Sequence, residues 1–114
     1  MSSLLLRIDP RLLKNPDLDL RTQLVDRLSE RSNGYITEDG YDYEDDTDAM
    51  LIFLCTGGLP TASHLVVHVL EHEEILGNCL AGASTLGLST TEDAEIASDY
   101  LVIYPRDKAG CPMG

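Results

Sequence analysis

Seven consecutive residues, Ala49-Met-Leu-Ile-Phe-Leu-Cys55, are apolar without interruption. They lie between the acidic stretch Glu44-Asp-Asp-Thr-Asp48 and the pair Gly57-Gly58. The run is too short to cross a bilayer, which takes about 20 apolar residues, and it lacks the alternation of a half-buried strand. It reads as a central strand covered on both faces. A chain containing such a strand has to provide apolar cover on two sides of one sheet, and the remaining segments are constrained by that need.

Residues 3–9 read as a first strand, with Leu4, Leu6 and Ile8 at period two. Pro10 and Pro16 bracket a connection. A helix is expected from about Leu18 to Ser32, capped by Asp17 or Asp19, with Leu20, Leu24, Val25 and Leu28 forming one apolar stripe. Asn33-Gly34 supplies the left-handed residues that commonly end a helix. The segment Gly34 to Glu44 is strand-like, and Gly40 within it signals a bulge or bend. Gly57-Gly58-Leu-Pro60 opens a second helix, expected over Pro60 to Leu76 and closed by Gly77. Its core face is Ala62, Leu65, Val66, Val69, Leu70 and Leu76. Strand candidates follow at Cys79–Leu88 and Ile96–Tyr104, separated by a turn at Thr90–Asp93. Pro105 to Gly114 reads as a frayed tail.

Strand, helix, strand, strand, helix, strand is the split βαβ order of a ferredoxin-like α+β sandwich. Such a βαββαβ chain builds a mainly antiparallel sheet with two helices on one face, and the C-terminal segment allows an extra strand. With 114 residues the chain is one domain. The second sheet face is expected to carry Leu5, Met50, Ile52 and Leu54. Either the C-terminal hairpin or a second copy of the chain has to cover it, so a homodimer through this face is one expectation.

Charge narrows the partners. Twenty Asp plus Glu against eight Lys plus Arg give a formal net charge of -12, a field that repels phosphate backbones and anionic lipid surfaces. The basic residues are scattered, and Arg21, Arg27 and Arg31 share the first helix with Asp19, Asp26 and Glu30 as a mixed solvated face. Nucleic acid and membranes are therefore poor partners, and a basic protein is a better one. The N-terminus lacks the basic start and long apolar run of a signal peptide. Cys55, Cys79 and Cys111 are odd in number and irregularly spaced, as in a reduced, cytoplasmic chain.

The densest polar feature is Glu38-Asp-Gly-Tyr-Asp-Tyr-Glu-Asp-Asp-Thr-Asp48. As a contact surface for a basic groove it would use Glu38, Asp39, Asp42, Glu44, Asp45, Asp46 and Asp48 for charge complementarity, with Tyr41 and Tyr43 as rigid anchors. As a plain strand end and turn, the same charges would keep the edge from pairing with other chains. Asp42, Glu44, Asp46 and Asp48 alternate like the start of a calcium loop. However, the sixth position is Thr47 instead of Gly and the twelfth is Phe53 instead of Glu, so calcium is not expected.

His64, His68 and His72 recur every four residues along the second helix, near Glu71. Two histidines so spaced can chelate a transition metal. The helical wheel, though, sets His72 against the core face and His64 and His68 on its flank, the usual place of boundary histidines. No metal or cofactor is expected. Gly82-Ala-Ser84-Thr-Leu-Gly87 misses the nucleophile elbow by one residue, and Gly57-Gly58 lacks the Lys and Ser/Thr of a phosphate loop. The chain carries no enzyme signature.

Leu4-Leu-Leu-Arg-Ile-Asp-Pro10, the bend Gly34-Tyr-Ile to Gly40-Tyr-Asp, and Met50-Leu-Ile-Phe-Leu-Cys-Thr56 together give a plan, over residues 3–104, that resembles the small acidic immunity-type proteins of bacterial toxin systems. That resemblance implies a single α+β domain that binds and blocks a partner toxin. The leading expectation is thus an intracellular binding protein that neutralises a basic, toxin-like protein. Two alternatives are a dimeric ferredoxin-like module binding a regulatory or small ligand, and a small enzyme using the histidine edge.

Overall fold

The computed structural model describes residues 2–15, 19–44, 48–57, 59–89, 99–105, 107 and 110–111. The strands are β1 (Ser2–Ile8), β2 (Ile36–Tyr43), β3 (Met50–Thr56), β4 (Glu74–Ile75), β5 (Asn78–Cys79), β6 (Ser84–Ser89) and β7 (Tyr100–Tyr104). The helices are α1 (Asp19–Arg31) and α2 (Leu59–His72). The apolar run forms β3, second in a five-stranded sheet of order β2-β3-β1-β6-β7, and every neighbouring pair is antiparallel. β4 and β5 make a separate small ladder. The architecture is α+β.

One sheet face packs on both helices. Leu4, Leu6 and Ile8 of β1, Met50, Ile52 and Leu54 of β3 and Leu86 of β6 share a buried cluster with Leu20, Leu24 and Leu28 of α1 and Ala62, Val66, Val69 and Leu70 of α2. Each of the Leu, Ile, Val and Met side chains among them contributes about 1.5–3 kcal/mol by leaving water. The α1 stripe matches the spacing in the sequence, with Val25 only partly buried at its margin.

Met50, Ile52 and Leu54 were expected on the far face and lie instead against the helices. A strand that is apolar on both sides carries no period to say which side is which. Pairing decides it: Leu4 sits opposite Leu54 and Leu5 opposite Phe53, so the two sets fall on opposite faces. The far face holds Leu5, Leu51, Phe53 and Tyr100. It is covered within the single chain, since Leu5 and Tyr100 are 0% exposed. Tyr100 pairs with Ser89 of β6, and its hydroxyl lies 2.6 Å from Ser3 Oγ of β1, so the ring spans the sheet beside Phe53 at 6.0 Å.

α2 stops at His72, short of the expected Leu76. Leu76 and Gly77 both have positive φ, +52° and +80°, which is the backbone of a two-residue hairpin turn, and the chain folds back as β4 and β5. The expected strand over 79–88 is likewise broken by a 3-10 turn at Ala81–Ala83 before β6 begins. Within the expected strand over 96–104, β7 covers Tyr100–Tyr104; residues 90–98, with the expected Thr90–Asp93 turn, lie outside the described residues. The tail is tied back at one point, where Gly110 N–H donates to Val102 O at 2.8 Å and Val102 N–H donates to Cys111 O at 2.9 Å. The expected helix cap Asp17 is outside the described residues.

The arginines of α1 are committed to tertiary pairs beyond a solvated face. Arg31 donates two hydrogen bonds to Glu73, at 3.0 and 2.9 Å, and Arg27 donates a third. The bond from Arg31, aided by Arg27 and opposed by burial, holds the Glu73 carboxyl down at about 2 from an ordinary 4.5. A depressed carboxyl stabilises the fold above the unfolded value and loses that contribution as pH falls through the folded one. The cluster's contribution is therefore complete above pH 4.5 and fades toward about 2. Because the arginines are partly solvated, Glu73→Gln is expected to cost only about 1 kcal/mol at pH 7. Urea melts at several pH values should show a flatter acid limb for the variant.

Candidate functional site

The acidic segment begins in β2, which holds Glu38 to Tyr43, and Glu44 and Asp48 lie between β2 and β3. β2 is at the end of the sheet order, and among the described residues its outer edge pairs with no other strand. The pairing register shifts between Glu38 and Gly40, and Gly40 has φ +141°, a backbone region that side chains rarely adopt. This is the bulge that Gly40 signals in the sequence, and it has a consequence for charge. Glu38 pairs with Leu54 and Tyr41 with Ile52, so residues three apart come to the same, helix-side face.

Arg21 of α1 meets both. It donates to the two Glu38 carboxylate oxygens at 2.8 and 2.7 Å, and its guanidinium carbon lies 3.7 Å from the centroid of the Tyr41 ring. Tyr41 in turn packs edge-on against Tyr43 at 5.9 Å. The rings remain 52% and 37% exposed, so Arg21 holds them in place without hiding them. Farther along, Arg7 of β1 donates to Glu44 at 2.6 Å.

The nine residues singled out in the sequence therefore divide. Glu38 and Glu44 are half-buried members of internal ion pairs. Asp39, Tyr41, Asp42, Tyr43 and Asp48 are exposed. Asp42 accepts from the backbone N–H of Tyr43 at 2.8 Å, and Asp48 takes the left-handed conformation with φ +58°. Asp45 and Asp46 lie outside the described residues. The residues that sequence reasoning missed are Arg21 and Arg7. They read as scattered surface charges because the carboxylate that meets each one is remote in the chain.

A second feature lies at the opposite end of the sheet. A groove of about 640 Å³ runs between α2 and the β6–β7 edge, with His64, His68, Glu71 and His72 on the helix wall and Leu88 and Tyr104 across from them. All three histidines are exposed, including His72, which the wheel placed against the core. Val69 and Leu70 fill that position instead, and α2 ends at His72. Tyr104 Oη lies 3.5 Å from a Glu71 carboxylate oxygen, and burial, with Glu71 beside it, pushes the Tyr104 hydroxyl above its ordinary value.

Comparison with protein-family models, curated proteins and solved structures finds no match to this chain. Among the described residues no helix is long and apolar enough to cross a membrane.

Proposed function

We propose that the chain is a cytoplasmic binding protein that neutralises a basic protein partner through the β2 edge, in the manner of an immunity protein against a toxin. The observation that carries this reading is that the sheet edge which pairs with no other described strand also holds the exposed Asp39, Tyr41, Asp42 and Tyr43, with exposed Asp48 close by. A charge of -12 speeds encounter with a positively charged cleft, and tyrosines already held by Arg21 present contact area at small entropic cost. A ferredoxin-like plan fits the same reading. It is supported by the order β2-β3-β1-β6 and by the packing of both helices on one face, with β7 as the added strand.

The test is capture of partners from native cells on the tagged chain, at low and at high salt. Asp39, Asp42 and Asp48 are the residues to reverse to Lys, because Glu38 and Glu44 pair with Arg21 and Arg7 and their reversal would also disturb those contacts. The expected outcome is a basic partner whose association slows about tenfold or more with added salt and is lost on reversal. Retention of the same partner by the reversed chain would remove the β2 edge from the interface, and recovery of only this chain's own copies would end the inhibitor reading.

A further inference from the structure

We infer that His68 and His72 form a two-imidazole chelate for a divalent transition metal, with Cu²⁺ bound most tightly. In a regular helix, side chains four apart stand one above the other. Here that spacing brings the two rings to 4.7 Å between centroids with 39° between their planes. A metal ion binds imidazole nitrogen at about 2.0–2.1 Å, so two nitrogens roughly 3 Å apart can share it. A centroid separation of 4.7 Å is compatible with two ring nitrogens sharing one ion once the side chains turn their nitrogens toward it.

Three further observations favour occupation. Both imidazoles are exposed on the wall of the groove, so an ion can enter without opening the core. Neither makes a hydrogen bond to another described residue, so coordination breaks no such bond. His64, one turn earlier, and Glu71 line the same wall, while the net charge of -12 concentrates cations around the chain.

The donor set also defines the kind of site. Among the described residues no three His, Cys, Asp or Glu side chains are grouped to hold an ion. The protein thus supplies two nitrogens and water completes the shell, which makes the ion exchangeable, unlike a structural zinc with four protein ligands. Imidazole suits Cu²⁺, Ni²⁺ and Zn²⁺, whereas Mg²⁺ and Ca²⁺ prefer oxygen. The site is at the other end of the sheet from β2 and does not depend on the partner proposed above.

Calorimetric titration of the full chain with CuCl2, NiCl2, ZnCl2 and MgCl2 tests this, in a background with Cys55, Cys79 and Cys111 changed to Ser so that thiols do not compete. One ion per chain is expected, tightest for Cu²⁺, with no heat from Mg²⁺. His68→Ala and His72→Ala should each weaken Ni²⁺ binding by about tenfold or more. Their melting temperatures without metal should match the parent, because both side chains are exposed. Nickel should raise the parent's melting temperature and leave that of the variants unchanged. Nitrogen couplings in the Cu²⁺ electron paramagnetic resonance spectrum should drop on either substitution. Equal nickel affinity in the parent and both variants would overturn the assignment. So would binding that survives only while the cysteines are present.

Discussion

Replacing Tyr100 with Ala is expected to destabilise the chain by about 3–5 kcal/mol, the range for deleting a buried aromatic ring. The ring is fully buried and packs with Leu5, Leu51 and Phe53 on the sheet face turned away from α1 and α2. Its removal would open a cavity beside Leu5 of β1 and Leu51 and Phe53 of β3. Tyr100→Phe separates the ring from its hydroxyl. It keeps the packing and removes only the hydrogen bond with Ser3, so about 1 kcal/mol is expected. Burial, ahead of the smaller influence of Asp39 and Asp99, pushes the Tyr100 hydroxyl above its ordinary 10.0. A raised value means stability that is whole below pH 10 and declines as pH climbs through the folded value, and the phenylalanine variant should lose that part of the alkaline decline. Denaturant midpoints of the three proteins decide the matter. A cost of under 1 kcal/mol for the alanine variant would mean that this face is covered in some other way.

Asn78 carries the second large effect. Its side chain is 1% exposed and ties the connection after β1 to the β4–β5 hairpin in both directions. Asn15 N–H donates to Asn78 Oδ1 at 2.8 Å, and Asn78 Nδ2 donates to Asn15 O at 2.8 Å. Asn15 Nδ2 adds a longer bond of 3.3 Å to Leu76 O. Asn78→Ala leaves a backbone donor and a backbone acceptor without partners, and about 2 kcal/mol is expected. Asn78→Asp keeps the acceptor but loses the donor and buries a charge, so it should cost at least as much. Amide exchange at Asn15 and in the hairpin should quicken in both variants, with the β1–β3 ladder following only global unfolding.

What could be read in advance depended on how local each cause is. The strand over Met50–Thr56 was legible because seven apolar residues in a row admit few other structures. Its facing was not, because that comes from pairing with β1. The stripe of α1 and the bulge at Gly40 were legible from spacing and from a glycine's freedom. The end of α2 was not, since the turn that follows places a leucine at Leu76 where Asn or Gly is usual. The acidic segment was visible as composition, yet which carboxylates remain exposed was decided by Arg7 and Arg21, whose partners are 37 and 17 residues away. The groove was illegible for the same reason: its far wall is β6 and β7.

The two borders of the sheet differ in a way that bears on aggregation. Fibres grow when a molecule offers one sticky edge to accept a strand and another to donate one. In β7 the outward groups of Val102 are consumed by Gly110 and Cys111, so at that residue the border has nothing left to template. The outer edge of β2 pairs with no other described strand, and it is lined by Asp39 and Asp42. Two copies meeting β2 to β2 would set like charges against each other, and an added strand at β7 would have to displace the bonds that Gly110 and Cys111 make to Val102. Joined to a foreign sheet through β2, the molecule would present at Val102 a border already occupied by its own tail.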